Sequence, residues 1–274
     1  MADTPKVAIT GAGSGLGAAM AHRFAAEGFG VAVTDVSRER ADAVAKELRE
    51  SGTQAFSQVL DVTRIEDWKA LHRRIHGEWG GLDVLINNAG VAAAGRCEES
   101  SLEDWQWVID IDLMGVVKGC HTFIPMLRNQ AEQGRRGHII NIASFAALSG
   151  MAGISAYGTA KAGVYALSEH LRAEFAASGI GVSVVCPAFV RTQLTNDLRC
   201  TDPSYRARVE RWMDRSGVTA DDVASTVWNA YRRRQFLVLT HRPTRWAWLL
   251  KRWWPERYYR EVARNAPSAR KQVA

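Results

Sequence analysis

The chain predicts an α/β fold: a doubly wound parallel sheet of about seven strands, followed by a C-terminal basic, aromatic helical extension. Short apolar runs alternate with single amphipathic helices along most of the sequence, and the first run ends in a glycine-rich turn. Size agrees, since 274 residues with 47% hydrophobic content can bury one α/β core and carry a modest appendage.

The elements run in order along the chain. Val7 to Thr10 is a short apolar run, and a helical stretch through Met20 and Phe24 closes at Gly28 and Gly30. Val31 to Thr34 reads as the second strand, Ser37 to Glu50 as a charged helix, and Ala55 to Leu60 as the third strand. A helix across Trp68, Leu71 and Ile75 leads to Val84–Ile86. A long helix then covers Leu102 to Leu127, and His138 to Ile142 is a buried strand. A helix from about Tyr157 to Ala177 precedes the strand Val182 to Val185. Thr219 with Asp222 three residues on predicts a capped helix start, and Phe236 to Leu239 supplies the last strand. Thr192 to Ser216 is polar and weakly periodic, and reads as a mobile flap. Apolar strands joined by single helices imply parallel pairing with both faces covered, and a ligand crevice at the carboxyl ends of the strands.

Charge is unevenly placed. His241 to Ala274 carries nine Lys/Arg against two Glu, leaving 26 Lys/Arg against 27 Asp/Glu in the preceding 240 residues. A near-neutral body argues against nucleic acid as a partner. Cys97, Cys120, Cys186 and Cys200 are scattered, without metal-ligand spacing, so no metal is implied and a reduced cytoplasmic protein is expected. Met1 to Lys6 leads into no apolar export segment, and no stretch approaches a membrane span, so neither export nor spanning is expected.

The turn Gly11-Ala12-Gly13-Ser14-Gly15-Leu16-Gly17 lies between the first strand and the first helix. Glycine there permits positive φ and lets backbone N–H groups approach a pyrophosphate at a helix N-terminus. Asp35, 18 residues after Gly17, ends the second strand, where a carboxylate can accept from both adenosine ribose hydroxyls and repel a 2′-phosphate. That spacing favours NAD over NADP, although Arg38 is a nearby base able to accommodate phosphate.

Together with Asp61-Val62 and Asn87-Asn88-Ala89-Gly90, this order of motifs resembles the short-chain dehydrogenase/reductase family. The resemblance implies a Rossmann-type NAD-binding catalytic domain over residues 1–240, with 241–274 as the extension. It also implies that Asp61 and Val62 flank the adenine, and that Asn87, Asn88, Ala89 and Gly90 support the cofactor and the central strands.

Tyr157 and Lys161 are four residues apart, so on a helix they share a face. A cation beside the phenol favours the phenolate, which makes a usable proton acceptor of a group with ordinary pKa about 10. Ser144 precedes Tyr157 by 13 residues, just after an apolar strand, as the family's catalytic serine does; Ser149 and Ser155 are expected in loops. By the same resemblance Tyr157 and Lys161 also touch the cofactor, and Pro187, Val190 and Thr192 hold the nicotinamide carboxamide. Two departures stand out. Asp112 occupies the position of the tetrad asparagine, in the proton-relay site, and Ala188 replaces a glycine. Asp112 leaves two readings open, a dehydrogenase with an altered pH response or an NAD-binding regulatory or scaffold protein with weak or lost turnover.

Phe145, Leu148, Met151 and Phe189 are candidate substrate-pocket residues, which favours a hydrophobic alcohol or ketone. The family's habit implies a homodimer or homotetramer built through the helices at 102–127 and 157–177. In the extension, Trp246, Leu249, Leu250 and Trp253 form an apolar helical stripe beyond which Pro255 starts a second segment carrying Tyr258, Tyr259 and Val262. Packing on the body or on a second subunit is the expected use of that stripe, and peripheral contact with an anionic membrane is the alternative.

Overall fold

The computed structural model describes residues 4–191, 198–200 and 202–264. Its first half alternates β1 (Lys6–Thr10), α1 (Gly15–Ala26), β2 (Gly30–Asp35), α2 (Arg38–Glu50), β3 (Ala55–Val59), α3 (Ile65–Trp79) and β4 (Val84–Asn87). A two-residue strand, β5 (Ala93–Ala94), precedes α4 (Leu102–Val108), a π-helical segment (Ile109–Met114) and α5 (Gly115–Glu132). Then come β6 (His138–Ile142), the short α6 (Ala146–Ser149), α7 (Ser155–Glu174) and β7 (Gly181–Cys186). The last part holds β8 (Arg199–Cys200), α8 (Pro203–Ser216), α9 (Ala220–Arg232), β9 (Leu237–Leu239), α10 (Arg242–Trp253) and α11 (Pro255–Arg264).

Seven strands pair in the order β3-β2-β1-β4-β6-β7-β9, while β5 and β8 form a separate small pair. All neighbours in the large sheet run parallel. The period-2 alternation of a strand sends successive residues of β1 into two different cores. Val7 and Ile9 meet Met20 and Phe24 of α1 and Val227 and Trp228 of α9. Ala8 faces Trp68 and Leu71 of α3, Phe123 of α5 and Val164 of α7. Burial on both faces explains why the strands read as continuous apolar runs. Strand order reverses between β1 and β4, which opens a crevice at their carboxyl ends.

Four sequence expectations change. The long helix is interrupted at 109–114 by a π-helical segment, which adds a residue to the turn and rotates the helix beyond it. Ser149 ends α6 and Ser155 opens α7, so neither is a loop residue. The described part of the supposed flap is largely α8: Asp202 caps Ser204 N–H at 2.8 Å, Pro203 sits in the first turn, and Gly217 ends the helix at φ 63°. Tyr205 of α8 is buried with Ala92, Ala94 and Leu198. Residues 192–197 and 201 of that stretch lie outside the described residues.

The fourth concerns the extension. The stripe of Trp246, Leu249 and Trp253 faces outward, with Trp246 76% and Trp253 68% exposed. The opposite face packs instead: Thr244 is buried, Trp248 leans on the large core, and Lys251 Nζ donates to Leu148 O at 2.7 Å. Tyr258 is buried and donates its hydroxyl to Ser149 O at 2.8 Å. Amphipathic side chains have turned a polar-looking face inward by pairing their tips with backbone carbonyls.

Candidate active site

One cleft of about 730 Å3 runs along the carboxyl ends of the central strands. Gly11, Ser14, Gly15, Leu16, Gly17, Asp35, Asp61, Val62, Asn88, Ala89, Gly90, Asp112, Ser144, Tyr157, Lys161, Pro187 and Val190 all line it. Asn87 does not; it is buried and donates to Asn141 Oδ1 at 2.9 Å, tying β4 to β6 beneath the cleft. Phe145, Leu148, Met151 and Phe189 are not among the lining residues either. Leu148 is buried in the large core, Phe145 leans on it, and Phe189 packs at a tilt on Trp212 with ring centroids 4.8 Å apart. Beyond Ser144 the chain turns at once into α6, which carries Phe145 and Leu148 toward the core. The rest of the lining includes Val91, Trp107, Ile111, Ala188, Arg199 and Met213.

At one end the glycine turn is wound too tightly for side chains. Gly11 has φ 62°, and a Cβ on it would lie 2.9 Å from Ala89 Cα. A Cβ on Gly17 would lie 2.1 Å from Gly11 O. Ser14 is the N-cap of α1 yet makes no side-chain cap hydrogen bond, so the first N–H groups of α1 stay available where Gly15 to Gly17 meet the cleft. Thr10 braces the turn from behind, its hydroxyl accepting from Asn88 N and Ala89 N, each at 2.9 Å. Asn88 Nδ2 donates back to Thr10 O at 2.8 Å.

Asp35 is almost fully buried at the end of β2 and accepts from Gly13 N at 3.1 Å and Ser37 N at 2.9 Å. The base beside it is Arg40, not Arg38: its Nη2 sits 2.8 Å from Asp35 Oδ1, and it lines the cleft. Asp61 is fixed by Thr63, whose N–H and hydroxyl donate to Oδ1 at 2.9 and 2.7 Å. A backbone cradle that excludes Cβ atoms, uncapped helix N–H groups and a ribose-height carboxylate fit the shape and charge of a dinucleotide.

The other end is ionic. Tyr157 and Lys161 occupy adjacent turns of α7, with Lys161 Nζ 5.8 Å from the phenol ring centre. Lys161 Nζ lies 3.1 Å from Asp112 Oδ2 and donates to Ile142 O at 3.2 Å. Asp112, fully buried in the π-helical segment, accepts from Val91 N at 2.8 Å through Oδ1. Asparagine could accept that bond equally, so the aspartate keeps the backbone link and adds a charge. Burial raises the Asp112 carboxyl above its ordinary range, with the Lys161 ammonium opposing. Burial would lower Lys161, but the Asp112 carboxylate and the Tyr157 phenol outweigh it and hold the ammonium high. Burial also raises Tyr157; Lys161 pulls it back, Asp112 opposes that pull, and a Ser144 hydrogen bond lowers it. The serine hydroxyl itself donates to Pro187 O at 3.5 Å. Ser144 Oγ in turn accepts from Ala146 N at 3.1 Å.

His241, which no sequence motif marks, secures the Pro187–Val190 segment. Its Nδ1 accepts from Ala188 N at 3.4 Å, and its Nε2 lies 3.3 Å from Phe189 O and 3.1 Å from Ser216 Oγ. Burial keeps this imidazole below its ordinary pKa. Thr192, the other expected carboxamide contact, lies outside the described residues. No cluster of three or more His, Cys, Asp or Glu able to hold a metal occurs among the described residues.

The sheet has its crevice at the strand switch, and Ser144, Tyr157 and Lys161 lie together at one end of it. The family model for short chain dehydrogenases matches residues 5–203, and the chain belongs to the short-chain dehydrogenase/reductase family, enzymes that act on CH–OH groups. It is 34% identical over 237 residues to 3β-hydroxysteroid dehydrogenase 1 of Eggerthella lenta, covering 85% of this chain and 89% of that one. It is 38% identical over 188 residues to a Mycobacterium bovis protein named Probable oxidoreductase EphD. That match takes in 69% of this chain but 31% of the mycobacterial protein, so the chain spans about a third of the length of that relative. Among solved structures, a short chain dehydrogenase/reductase from Burkholderia phymatum in complex with NAD has a TM-score of 0.86 at 28% identity, covering 97% of each chain.

Proposed function

We propose that this protein interconverts a hydrophobic alcohol and its ketone, with NAD as preferred cofactor and Tyr157 as general acid/base. The observation that carries this reading is a single cleft with Asp35 at one end and Ser144, Tyr157 and Lys161 at the other. The Eggerthella relative's name, a hydroxysteroid dehydrogenase, supports a bulky apolar alcohol.

The bound nicotinamide supplies the hydride donor or acceptor and, when oxidised, a positive charge beside the phenol. Ser144 donates its hydroxyl to the substrate oxygen and sets that oxygen near Tyr157. Tyr157 takes the alcohol proton in oxidation and returns it in reduction. Lys161 holds the phenolate form within reach, while Asp112 limits how far that effect goes. Val91, Ile111, Ala188 and Met213 give the cleft an apolar lining suited to such a substrate. Asp35 occupies Arg40 in an ion pair, leaving the carboxylate in place to refuse a 2′-phosphate. By the family's habit the enzyme forms a homodimer or homotetramer, which sedimentation velocity would reveal.

The test is a panel of hydrophobic secondary alcohols with NAD and with NADP, monitored by the absorbance of the reduced nicotinamide. Turnover is expected with a higher kcat/KM for NAD. No turnover across the panel and across pH would defeat the reading and favour a cofactor-binding regulator disabled at Asp112. Preference for NADP would overturn the cofactor assignment alone.

A further inference from the structure

We propose that the outer face of α10 and α11 docks on an anionic lipid surface. Five of the eight large hydrophobic side chains exposed among the described residues fall between 246 and 259: Trp246, Leu249, Trp253, Trp254 and Tyr259. Elsewhere the exposed ones are single, whereas Trp246, Leu249 and Trp253 recur at helical spacing on one face of α10, with Trp254 at its end; Tyr259 lies against Gly150 and Lys251. Around them Arg245, Arg252, Arg257 and Arg260 are exposed. Residues 241–264 hold seven Lys/Arg against two Glu, and one of those glutamates, Glu261, pairs with Arg264 at 2.7 Å.

The face is held rigidly. Lys251 and Tyr258 bond the carbonyls of Leu148 and Ser149 from the inner side, and Trp248 leans on the core. The tryptophans are therefore presented outward by an anchored pair of helices. Indoles at a headgroup boundary, with guanidinium groups among the phosphates, form the pattern of a helix lying in a membrane surface. No helix among the described residues is long and apolar enough to cross a membrane, so the contact is peripheral.

The experiment is co-sedimentation of the full chain with vesicles of mixed phosphatidylglycerol and phosphatidylcholine, against phosphatidylcholine alone, at low and high salt. Binding to the anionic vesicles is expected to be about tenfold or more tighter, and to weaken with salt. A variant carrying Trp246→Ser, Trp253→Ser and Trp254→Ser should lose about tenfold or more of that binding while keeping its Tm and its NAD affinity. A second variant with Arg245→Gln and Arg252→Gln should lose the preference for anionic over neutral vesicles. Equal behaviour with both lipids, or unchanged binding by the tryptophan variant, overturns the proposal. So does a wild-type oligomer that dissociates in the tryptophan variant without vesicle binding, which would assign the face to self-association. None of these readouts requires turnover, so they stand apart from the proposed chemistry.

Discussion

The two ends of the cleft are built on different physics. At the nucleotide end the decisive feature is excluded volume: Gly11 and Gly17 leave no room for a Cβ, and the ligand is to be met by backbone. At the catalytic end the decisive feature is charge in a dry place: Asp112, Lys161 and Tyr157 converge from two helices, with the ammonium and the carboxylate both buried. The difference teaches where each end is vulnerable. Adding atoms should damage the first, while changing protonation should damage the second.

The sharpest test of that contrast is Tyr157→Phe. It removes one oxygen and leaves the glycine cradle intact, so kcat should fall by about 10²–10⁴ while NAD affinity measured by fluorescence titration barely changes. Loss of binding in parallel with turnover would erase the division of labour. Gly17→Ala should do the reverse. Its methyl meets Gly11 O at 2.1 Å, so α1 must retreat from the turn, and a local strain of about 1–3 kcal/mol corresponds to roughly 5–150-fold weaker cofactor binding. At saturating cofactor, kcat should recover most of its wild-type value.

Asp112→Asn tests the charge at the catalytic end more finely. The carboxylate raises the Tyr157 pKa, so neutralising it lowers that pKa. Alcohol oxidation needs the phenol deprotonated and rises as pH passes its pKa. The rising limb of kcat/KM against pH should therefore move to lower pH. A shift to higher pH would show that Asp112 is not the opposing charge. Lys161 also loses its counter-ion, so folding stability should drop alongside.

Legibility in the sequence divides along the same line. The strands, the glycine turn and the position of Asp35 were legible because backbone demands select residue types directly. Tyr157, Lys161 and Ser144 were legible through order and spacing within a family pattern. Less visible were the features that depend on which way a side chain leans. Arg38 looked like the nearest base to Asp35, yet Ser37 caps α2 and Arg40, in its first turn, reaches back to the carboxylate. Helical periodicity found the stripe Trp246, Leu249, Leu250 and Trp253 and offered the body, a second subunit or a membrane as its cover; of these, the body is not what Trp246 and Trp253 pack on. The inner face is instead held by Trp248, the Lys251 ammonium and the Tyr258 hydroxyl, polar tips that a hydrophobic pattern discounts. Phe145 and Leu148 obey the same logic in reverse: apolar residues beside Ser144 that α6 turns into the core.

That inner face gives the catalytic end a support of its own. Ser144 leads directly into α6, and the two carbonyls that close α6, those of Leu148 and Ser149, are held from the C-terminal helices. Tyr258→Phe removes one of these bonds and little else. A single buried hydrogen bond contributes about 1 kcal/mol, so Tm should fall by only about 2–4 °C. If α6 transmits the slack to Ser144, kcat should fall by a small factor while NAD affinity stays put, because the cradle at Gly11 to Gly17 sits at the other end of the cleft. An unchanged kcat with the lowered Tm would show that the extension steadies the fold without tuning the serine. A change in NAD affinity instead would mean that the two ends of the cleft are mechanically coupled through the sheet, contrary to the division drawn from their construction.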